Sequence, residues 1–158
     1  MNKEELITLL KQYKENKAKL KIRLKELKNE RIRLKYIDSD TSMTTSYGNN
    51  QDIHSKNQIS NKVLRKIEEN DMKISELNKE IEELEKEVRE LRATVEAVED
   101  RLIGLKYKER ELLVAYYIDG RTAENISRTL YYDMYQRTCT PRYIQKIIDK
   151  ATQKMINI

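Results

Sequence analysis

The side chains best suited to specific recognition lie near the C-terminal end of the sequence. Arg142, Gln145 and Lys146 follow the Thr-Pro pair at 140–141 and fall in the first turn and a half of a predicted helix. Arg and Lys can donate to the O6 and N7 acceptors of guanine, and Gln can pair with adenine through two hydrogen bonds. Because the first turns of a recognition helix reach base edges in the DNA major groove, these residues, together with Tyr143, are the predicted base-reading set.

Start and stop signals indicate two helices around these residues. Thr140 is the predicted N-cap of the second, with Pro141 at the first helical position, where its missing N–H leaves no bond unmade. Gly120 is predicted to take the left-handed conformation that ends an earlier helix, and Thr122 caps the next one. Apolar residues then recur at helical spacing: Ala123, Ile126 and Leu130, then Ile144, Ile147, Ile148, Ala151 and Met155. This order of elements predicts a helix-turn-helix.

Basic and hydroxyl side chains around these helices are the predicted phosphate contacts. They are Arg121, Thr122, Arg137, Thr140 and Lys150. Residues 106–158 carry ten basic and six acidic side chains, a net charge of +4. That excess suits duplex DNA, since phosphate contacts supply most non-specific affinity. The alternative interpretation is a small helical bundle with a solvated charged face.

Residues 140–155 (TPRYIQKIIDKATQKM) resemble the recognition helix of region four of housekeeping bacterial sigma factors. The positions of that pattern are held here by Thr140, Ile144, Gln145, Lys146, Ile147, Ala151 and Met155. The stretch KERELLVAYYIDGRTAENIS resembles the helix, turn and helix before it. The whole chain is similar to small phage-encoded late-gene activators of the ArpU/RinA type. The resemblance implies promoter DNA as a partner, RNA polymerase as a candidate partner, and the cytoplasm of a bacterial host as the location.

The segment from Tyr131 to Cys139 departs from the sigma pattern. It adds about seven residues to a turn that normally has three or four. The connector is predicted either to form a short helix of its own or to contact DNA. Pro141 also stands where the pattern usually has a basic residue. No segment resembles the promoter-melting region two, so a complete sigma factor is not predicted.

Residues 59–105 carry a continuous heptad pattern, which predicts a long helix of about 70 Å at 1.5 Å per residue. One seam position holds Ile67, Ile74, Ile81, Val88, Val95 and Leu102, and the other holds Asn70, Leu77, Leu84, Leu91, Val98 and Leu105. β-Branched residues at one position and Leu at the other favour a parallel dimer. A homodimer through this coiled-coil arm is therefore predicted.

Residues 1–37 form a basic helical segment with twelve basic and five acidic side chains. Its predicted seam contains Leu6, Leu10, Tyr13, Leu20, Leu24, Leu27 and Leu34, interrupted by Lys17 and Arg31. Its flank carries Lys14, Lys21, Lys28 and Lys35. Because the stretch from Glu76 to Glu90 is acidic, we expect the two segments to fold back as an antiparallel hairpin.

Residues 38–58 interrupt the helical pattern. Ser, Thr, Asn, Asp and Gly dominate this stretch, which is typical of a loop or connector. Two interpretations are open: disorder or a passive link, and a contact surface for RNA polymerase or DNA.

Catalytic chemistry finds no support in the sequence. His54 is the only histidine and Cys139 the only cysteine, and no metal-ligand spacing or glycine-rich phosphate loop occurs. We therefore expect no catalytic residue, no metal and no cofactor, and no enzyme activity. A single cysteine and no recognisable signal peptide favour the cytoplasm, and no stretch is long enough to span a membrane.

These patterns together predict an all-α fold: a long helical hairpin or coiled coil followed by a C-terminal helix-turn-helix domain. The predicted divisions are a basic helix at 1–37, a connector at 38–58, a heptad helix at 59–105 and a sigma-like domain at 106–158. The predicted function is a sequence-specific DNA-binding transcriptional regulator. The alternatives are a small terminase-type DNA-packaging subunit, and a sigma-like protein that binds RNA polymerase without DNA specificity of its own.

Overall fold

The computed structural model describes residues 2–43 and 56–157, with side chains described for 2–37 and 64–157, and all regular elements in them are helical. Helix α1 spans Lys3–Met43 and α2 spans Lys56–Ile103. Four shorter helices follow: α3 (Tyr107–Leu113), α4 (Ala123–Arg128), α5 (Leu130–Tyr135) and α6 (Pro141–Ile156). A π-helical segment, Val114–Ile118, continues α3. The predicted all-α class is confirmed.

Both long helices extend into residues 38–58, the stretch predicted as a connector. Helix α1 continues to Met43 and α2 already begins at Lys56, while residues 44–55 lie outside the described part of the chain. Ser, Thr and Asp each lower helix stability by only about 0.5 kcal/mol relative to Ala, so a few of them do not end an established helix. The strong breaker in this region, Gly48, comes later in the sequence.

The chain divides into two compact units, and each contains parts of both long helices. The first unit comprises Met1–Leu20 and Glu90–Ile158, and the second comprises Lys21–Arg89. The first unit is therefore larger than the predicted domain of residues 106–158, because the beginning of α1 and the end of α2 belong to it.

The core of the first unit consists of two apolar clusters. The first contains Leu6, Leu10, Val98, Leu102, Leu105, Leu113, Ala151 and Met155. The second contains Leu112, Ala115, Ile126, Tyr131, Ile144 and Ile148. Helix α6 contributes to both, so its buried face is held from two sides.

In the second unit, α1 and α2 run antiparallel. Arg23 Nε lies 2.8 Å from Glu87 Oε2, and Arg31 Nη2 lies 2.6 Å from Glu85 Oε1, so later residues of α1 meet earlier residues of α2. The heptad positions Leu77, Ile81 and Val88 of α2 and Leu27 of α1 are buried. These three heptad positions of α2 are thus covered within a single chain, while Leu84 remains partly exposed.

The buried face of α1 follows the predicted seam at six of its seven apolar positions and departs from it at Leu24. Leu24 is 38% exposed, and Lys17 and Arg31 are exposed. The half-buried polar residues are instead Arg23 and Glu30, which continue the spacing of three and four residues set by the buried leucines. Long charged side chains can occupy such positions because their stems pack while their head groups reach water.

The predicted charge complement between the two segments involves different residues from those expected. Arg23 and Arg31 supply the cations that reach the acidic stretch Glu76–Glu90 of α2, whereas Lys14 pairs with Asp119 at 2.8 Å between Nζ and Oδ1. Among the described residues, Lys21, Lys28 and Lys35 form no ion pair; they are exposed. The lysine flank of α1 in the second unit is therefore free to contact another molecule.

Candidate nucleic-acid interface

Helix α6 begins where the Thr-Pro signal predicts. The Thr140 hydroxyl accepts a hydrogen bond from the backbone N–H of Tyr143 at 3.3 Å, and Pro141 occupies the first turn. Ile144, Ile148, Ala151 and Met155 are all buried, as their spacing predicts. Thr152 is also buried, and its hydroxyl donates to the carbonyl of Ile148 at 2.8 Å, so this buried polar group is satisfied within α6.

The elements before α6 also follow their predicted capping signals. Gly120 has a φ of +68°, the left-handed conformation that an L side chain rarely adopts. The Thr122 hydroxyl accepts from the backbone N–H of Asn125 at 3.2 Å and caps α4. Ile126 of α4 is fully buried, which anchors this short helix against α6 in the second apolar cluster.

The connector between α4 and α6 forms the short helix α5. This agrees with the first of its two predicted roles, a short helix of its own. Its anchor is Tyr131, only 2% exposed, whose ring stacks on Tyr135 with centroids 4.4 Å apart. Gln136 ends α5 with a left-handed φ of +53°. The sequence pattern predicts a connector here and does not indicate that Tyr131 belongs to the core. A run of leucine or β-branched residues indicates a core because these residues are usually buried, whereas tyrosine is only intermediate in its tendency to be buried.

The predicted base-reading side chains lie on the exposed side of α6. Arg142, Gln145 and Lys146 are exposed, and Tyr143 is 48% exposed. Arg142 and Lys146 are one helical turn apart and therefore project in the same direction. Tyr143 differs from the others because its ring packs edge-on against Tyr131 with centroids 6.2 Å apart, so part of it supports the core.

Gln145 has a neighbour that the sequence did not indicate. Its Nε2 lies 3.4 Å from the hydroxyl oxygen of Tyr116, in the π-helical segment. A π turn is uncommon and shifts the following side chains around the helix axis. Tyr116 also packs edge-on against Tyr117, with ring centroids 5.0 Å apart, which limits its movement. Tyr116 can therefore restrict the orientations of the Gln145 amide.

The predicted phosphate-contacting residues are exposed around α4, α5 and α6. They are Arg121, Thr122, Arg137, Thr140 and Lys150. The hydroxyls of Thr122 and Thr140 accept backbone hydrogen bonds as caps, and a hydroxyl that accepts still has its own proton to donate. The guanidinium of Arg137 lies 5.9 Å from the ring centroid of Tyr135, beside the connector helix.

Lys3 is an unexpected member of this surface. Its Nζ lies 3.2 Å from Oδ1 of Asp149, and Asp149 is the only acidic residue of α6. An uncompensated carboxylate between Lys146 and Lys150 would repel an approaching phosphate. The ion pair neutralises that carboxylate with a cation from the start of α1. No local pattern could predict it, because the two residues are 146 positions apart.

Lys108 of α3 is a second basic side chain that the sequence pattern did not indicate. Its Nζ lies 3.9 Å from the ring centroid of Tyr135 and donates to the carbonyl of Met134 at 3.3 Å. The ammonium group thus links α3 to the end of α5. A cation over a tyrosine ring adds about 0.5–1 kcal/mol at an exposed site, so this contact helps to hold the inserted helix in place.

The Cys139 thiol and the Tyr135 hydroxyl lie near this surface, and burial raises the pKa of both groups. The raised pKa of Cys139 disfavours its nucleophilic thiolate, although the nearby Arg137 acts in the opposite direction. Within the described ranges, no three His, Cys, Asp or Glu side chains are grouped to hold a metal ion. His54 lies outside those ranges. The helices of the described ranges include none with a segment apolar and long enough to span a bilayer.

The chain matches no family model, no curated protein and no solved structure. A function must therefore be argued from the geometry and chemistry of the chain itself.

Proposed function

We propose that this chain is a sequence-specific DNA-binding transcriptional regulator that reads duplex DNA through α6. One observation carries the proposal: α6 exposes Arg142, Gln145, Lys146 and Lys150 while its opposite face is fixed in two apolar clusters. A rigid helix with long donor side chains on one side is the element that enters a major groove about 12 Å wide.

The proposed division of labour follows from the position of each side chain. Arg142, Gln145 and Lys146, with the exposed part of Tyr143, read base edges from the first turns of α6. Arg121, Thr122, Arg137, Thr140 and Lys150 contact phosphates and fix the register of α6 on the duplex. Lys3 supports both tasks, because it removes the negative charge of Asp149 from this surface.

In this proposal α4, α5 and α6 act as a helix-turn-helix with an inserted helix. The insertion does not separate α4 from α6, since Ile126, Tyr131 and Ile144 share one apolar cluster. Arg137 lies two residues after the end of α5, so the insertion also brings a cation towards the beginning of α6. These contacts support a docked arrangement of the two helices in spite of the long connector.

The wider biological role is proposed from the resemblance of residues 105–156 to sigma region four. The DNA would be a promoter of phage late or packaging genes in the cytoplasm of a bacterial host. RNA polymerase is the proposed second partner, and the long helices are the proposed site of self-association. Because the heptad positions Leu77, Ile81 and Val88 are buried within one chain, the proposed self-association uses partly exposed positions of these helices, such as Leu84.

Selection of random duplex DNA by the purified full chain tests the proposal. An enriched motif, with affinity for it far above that for scrambled duplex, is the expected result. Binding should also weaken as salt rises, since displaced counterions accompany each phosphate contact. Equal affinity for every sequence would contradict base reading. Binding to RNA polymerase without any binding to DNA would support the polymerase-accessory function in its place.

A further inference from the structure

One side of the second unit carries a groove that is both basic and apolar. The groove has a volume of about 330 Å³ and is lined by Leu24, Leu27, Lys28, Arg31, Ile32 and Lys35. Leu24 is 38% and Ile32 42% exposed, so apolar surface is open to water here. Lys28 and Lys35 have no ion-pair partner among the described residues, and Arg31 is paired only with Glu85.

The other side of the same unit carries an acidic groove. It has a volume of about 390 Å³ and is lined by Glu26, Glu30, Glu80, Glu83, Leu84 and Glu87. Arg23 pairs with Glu26 and Glu87, and Arg33 pairs with Glu30. Glu80 and Glu83 are exposed and have no cationic partner in the described ranges. This groove therefore keeps uncompensated negative charge around one apolar side chain, Leu84.

Helical spacing places the two grooves on opposite sides of α1. Residues 24, 28, 31 and 35 recur at intervals of three and four and form one stripe, and residues 26, 30 and 33 form another. The buried Leu27 lies between the two stripes. Each chain thus carries two unlike surfaces that complement each other in charge but cannot meet within the same unit.

We propose that the basic groove of one chain docks on the acidic groove of a second copy of this chain. Lys28 and Lys35 would then face Glu80 and Glu83 of the other copy, and the apolar surface of Leu24 and Ile32 would cover Leu84. Lys28 and Lys35 are seven residues apart, about 10.5 Å along α1, whereas Glu80 and Glu83 are three residues apart, about 4.5 Å along α2, so the flexible lysine side chains would converge on one patch of carboxylates. The contact is heterologous, and it produces a closed ring or an open chain of subunits rather than an isologous pair.

A second copy explains the groove better than a nucleic acid does. Phosphates would satisfy Lys28 and Lys35 but would leave Leu24 and Ile32 with no apolar partner. The acidic groove offers carboxylates and an apolar side chain together. Charge complementarity of this kind sets partner choice and makes association sensitive to salt. The inference does not depend on the proposed DNA binding, because it uses only residues of the second unit.

Complementary charge reversal tests the inference in the full-length chain. Sedimentation velocity at low ionic strength should show association of the native chain that weakens at high ionic strength. The variants Lys28→Glu/Lys35→Glu and Glu80→Lys/Glu83→Lys should each self-associate about tenfold more weakly or not at all, since like charges replace two attractive pairs. An equimolar mixture of the two variants should associate again, because each restores the complement that the other lacks.

A matched control separates this contact from a general effect of charge. Lys79→Glu/Lys86→Glu reverses two exposed lysines of α2 that line neither groove, and it should associate like the native chain. Helix content by circular dichroism confirms that each variant is folded. A native chain that stays monomeric at low ionic strength overturns the inference, and so does a mixture that fails to associate. Loss of duplex DNA affinity in Lys28→Glu/Lys35→Glu with unchanged self-association also overturns it, in favour of a nucleic-acid contact.

Discussion

The ammonium group of Lys3 lies 3.2 Å from the carboxylate of Asp149, and this ion pair joins the beginning of α1 to the exposed side of α6. Both side chains are about half exposed, so the pair adds little to stability. Its importance lies in the net charge of the surface. In the proposed complex with DNA, Lys3 would leave Arg142, Lys146 and Lys150 to face the duplex without the competing charge of Asp149.

Replacing Lys3 by Ala should weaken DNA binding about two- to fivefold on specific and scrambled duplex alike, because the free Asp149 carboxylate would repel phosphates of any sequence. Fluorescence anisotropy titrations with the two duplexes measure the change. The double variant Lys3→Ala/Asp149→Asn should recover most of the lost affinity. Lys11→Ala removes an exposed, unpaired lysine of the same helix and serves as the control. Failure of the double variant to recover affinity would contradict the role assigned to the pair.

Changes at the first turns of α6 should affect specificity more than general affinity. Gln145→Ala and Lys146→Ala should each reduce binding to the selected motif by about 1–3 kcal/mol, because each removes a donor to a base edge. Gln153→Ala, an exposed glutamine two turns further along α6, should have little effect. Competition assays with the selected motif and with scrambled duplex measure the specific and the general affinity. Equal losses on the two duplexes would argue against base reading.

Thr140 should combine a structural role with a DNA contact, and three substitutions separate the two. Thr140→Ala should destabilise the fold by about 1 kcal/mol through loss of the N-cap. Thr140→Ser keeps both the cap and the hydroxyl proton and should behave like the native chain. Thr140→Asp also caps well, but its carboxylate should weaken DNA binding strongly. Urea unfolding and DNA titration of the three variants provide the comparison, and undiminished DNA binding by Thr140→Asp would exclude a phosphate contact at this position.

Tyr131 should be required for stability although it lies in the inserted segment. Tyr131→Ala should destabilise the fold by about 3–5 kcal/mol, because it leaves a cavity in the cluster that contains Ile126 and Ile144. The adjacent Tyr132 is 45% exposed, so Tyr132→Ala should change the free energy of unfolding by less than about 1 kcal/mol. Urea unfolding followed by circular dichroism measures both. Similar values for the two variants would show that α5 does not belong to the core.

Acid should weaken the contact between α1 and α2 in the first unit. The Lys17 ammonium and Tyr13 hydroxyl, with Nζ and Oη 2.8 and 2.6 Å from Glu99 Oε1, lower the pKa of Glu99 below its ordinary value of 4.5. The carboxylate is therefore favoured in the folded state. Its stabilising effect is complete above about pH 4.5 and is lost as the pH falls through the lower folded pKa. Glu99→Gln should flatten this part of the stability profile, measured by urea unfolding from pH 3 to pH 7 (about the range of carboxylate titration). An unchanged slope would contradict the assignment.

Local signals in the sequence predicted the parts of the fold that depend on neighbours along the chain. Thr122, Thr140 and Gly120 take their predicted roles, since a cap or a left-handed turn involves only residues within one helical turn. The heptad positions Leu77, Ile81 and Val88 are buried as expected. The exposed positions of Arg142, Gln145 and Lys146 also follow from the apolar stripe of α6, because the opposite side of an amphipathic helix faces water.

Features that depend on distant residues could not be predicted in this way. The end of α1 and the beginning of α2 pass through residues with weak helix propensity, because extending an existing helix by one residue outweighs a small local preference. The phase of the buried face of α1 was misassigned at Leu24, since leucines on a basic helix mark its seam ambiguously. The pairing of Lys3 with Asp149 and the contact of Gln145 with Tyr116 join elements far apart in the sequence, and nothing in the local pattern indicates them.

The apolar cluster that contains both Leu6 and Met155 has a consequence for how the chain acquires its structure. These residues are separated by about 150 positions, so their contact closes a very long loop and forms late in folding. During synthesis, Leu6 and Leu10 leave the ribosome long before α6 exists to cover them. The surface that carries Arg142 and Lys146 therefore takes its final form only after synthesis has passed Met155, and a nascent chain stalled before that point should be unable to present it.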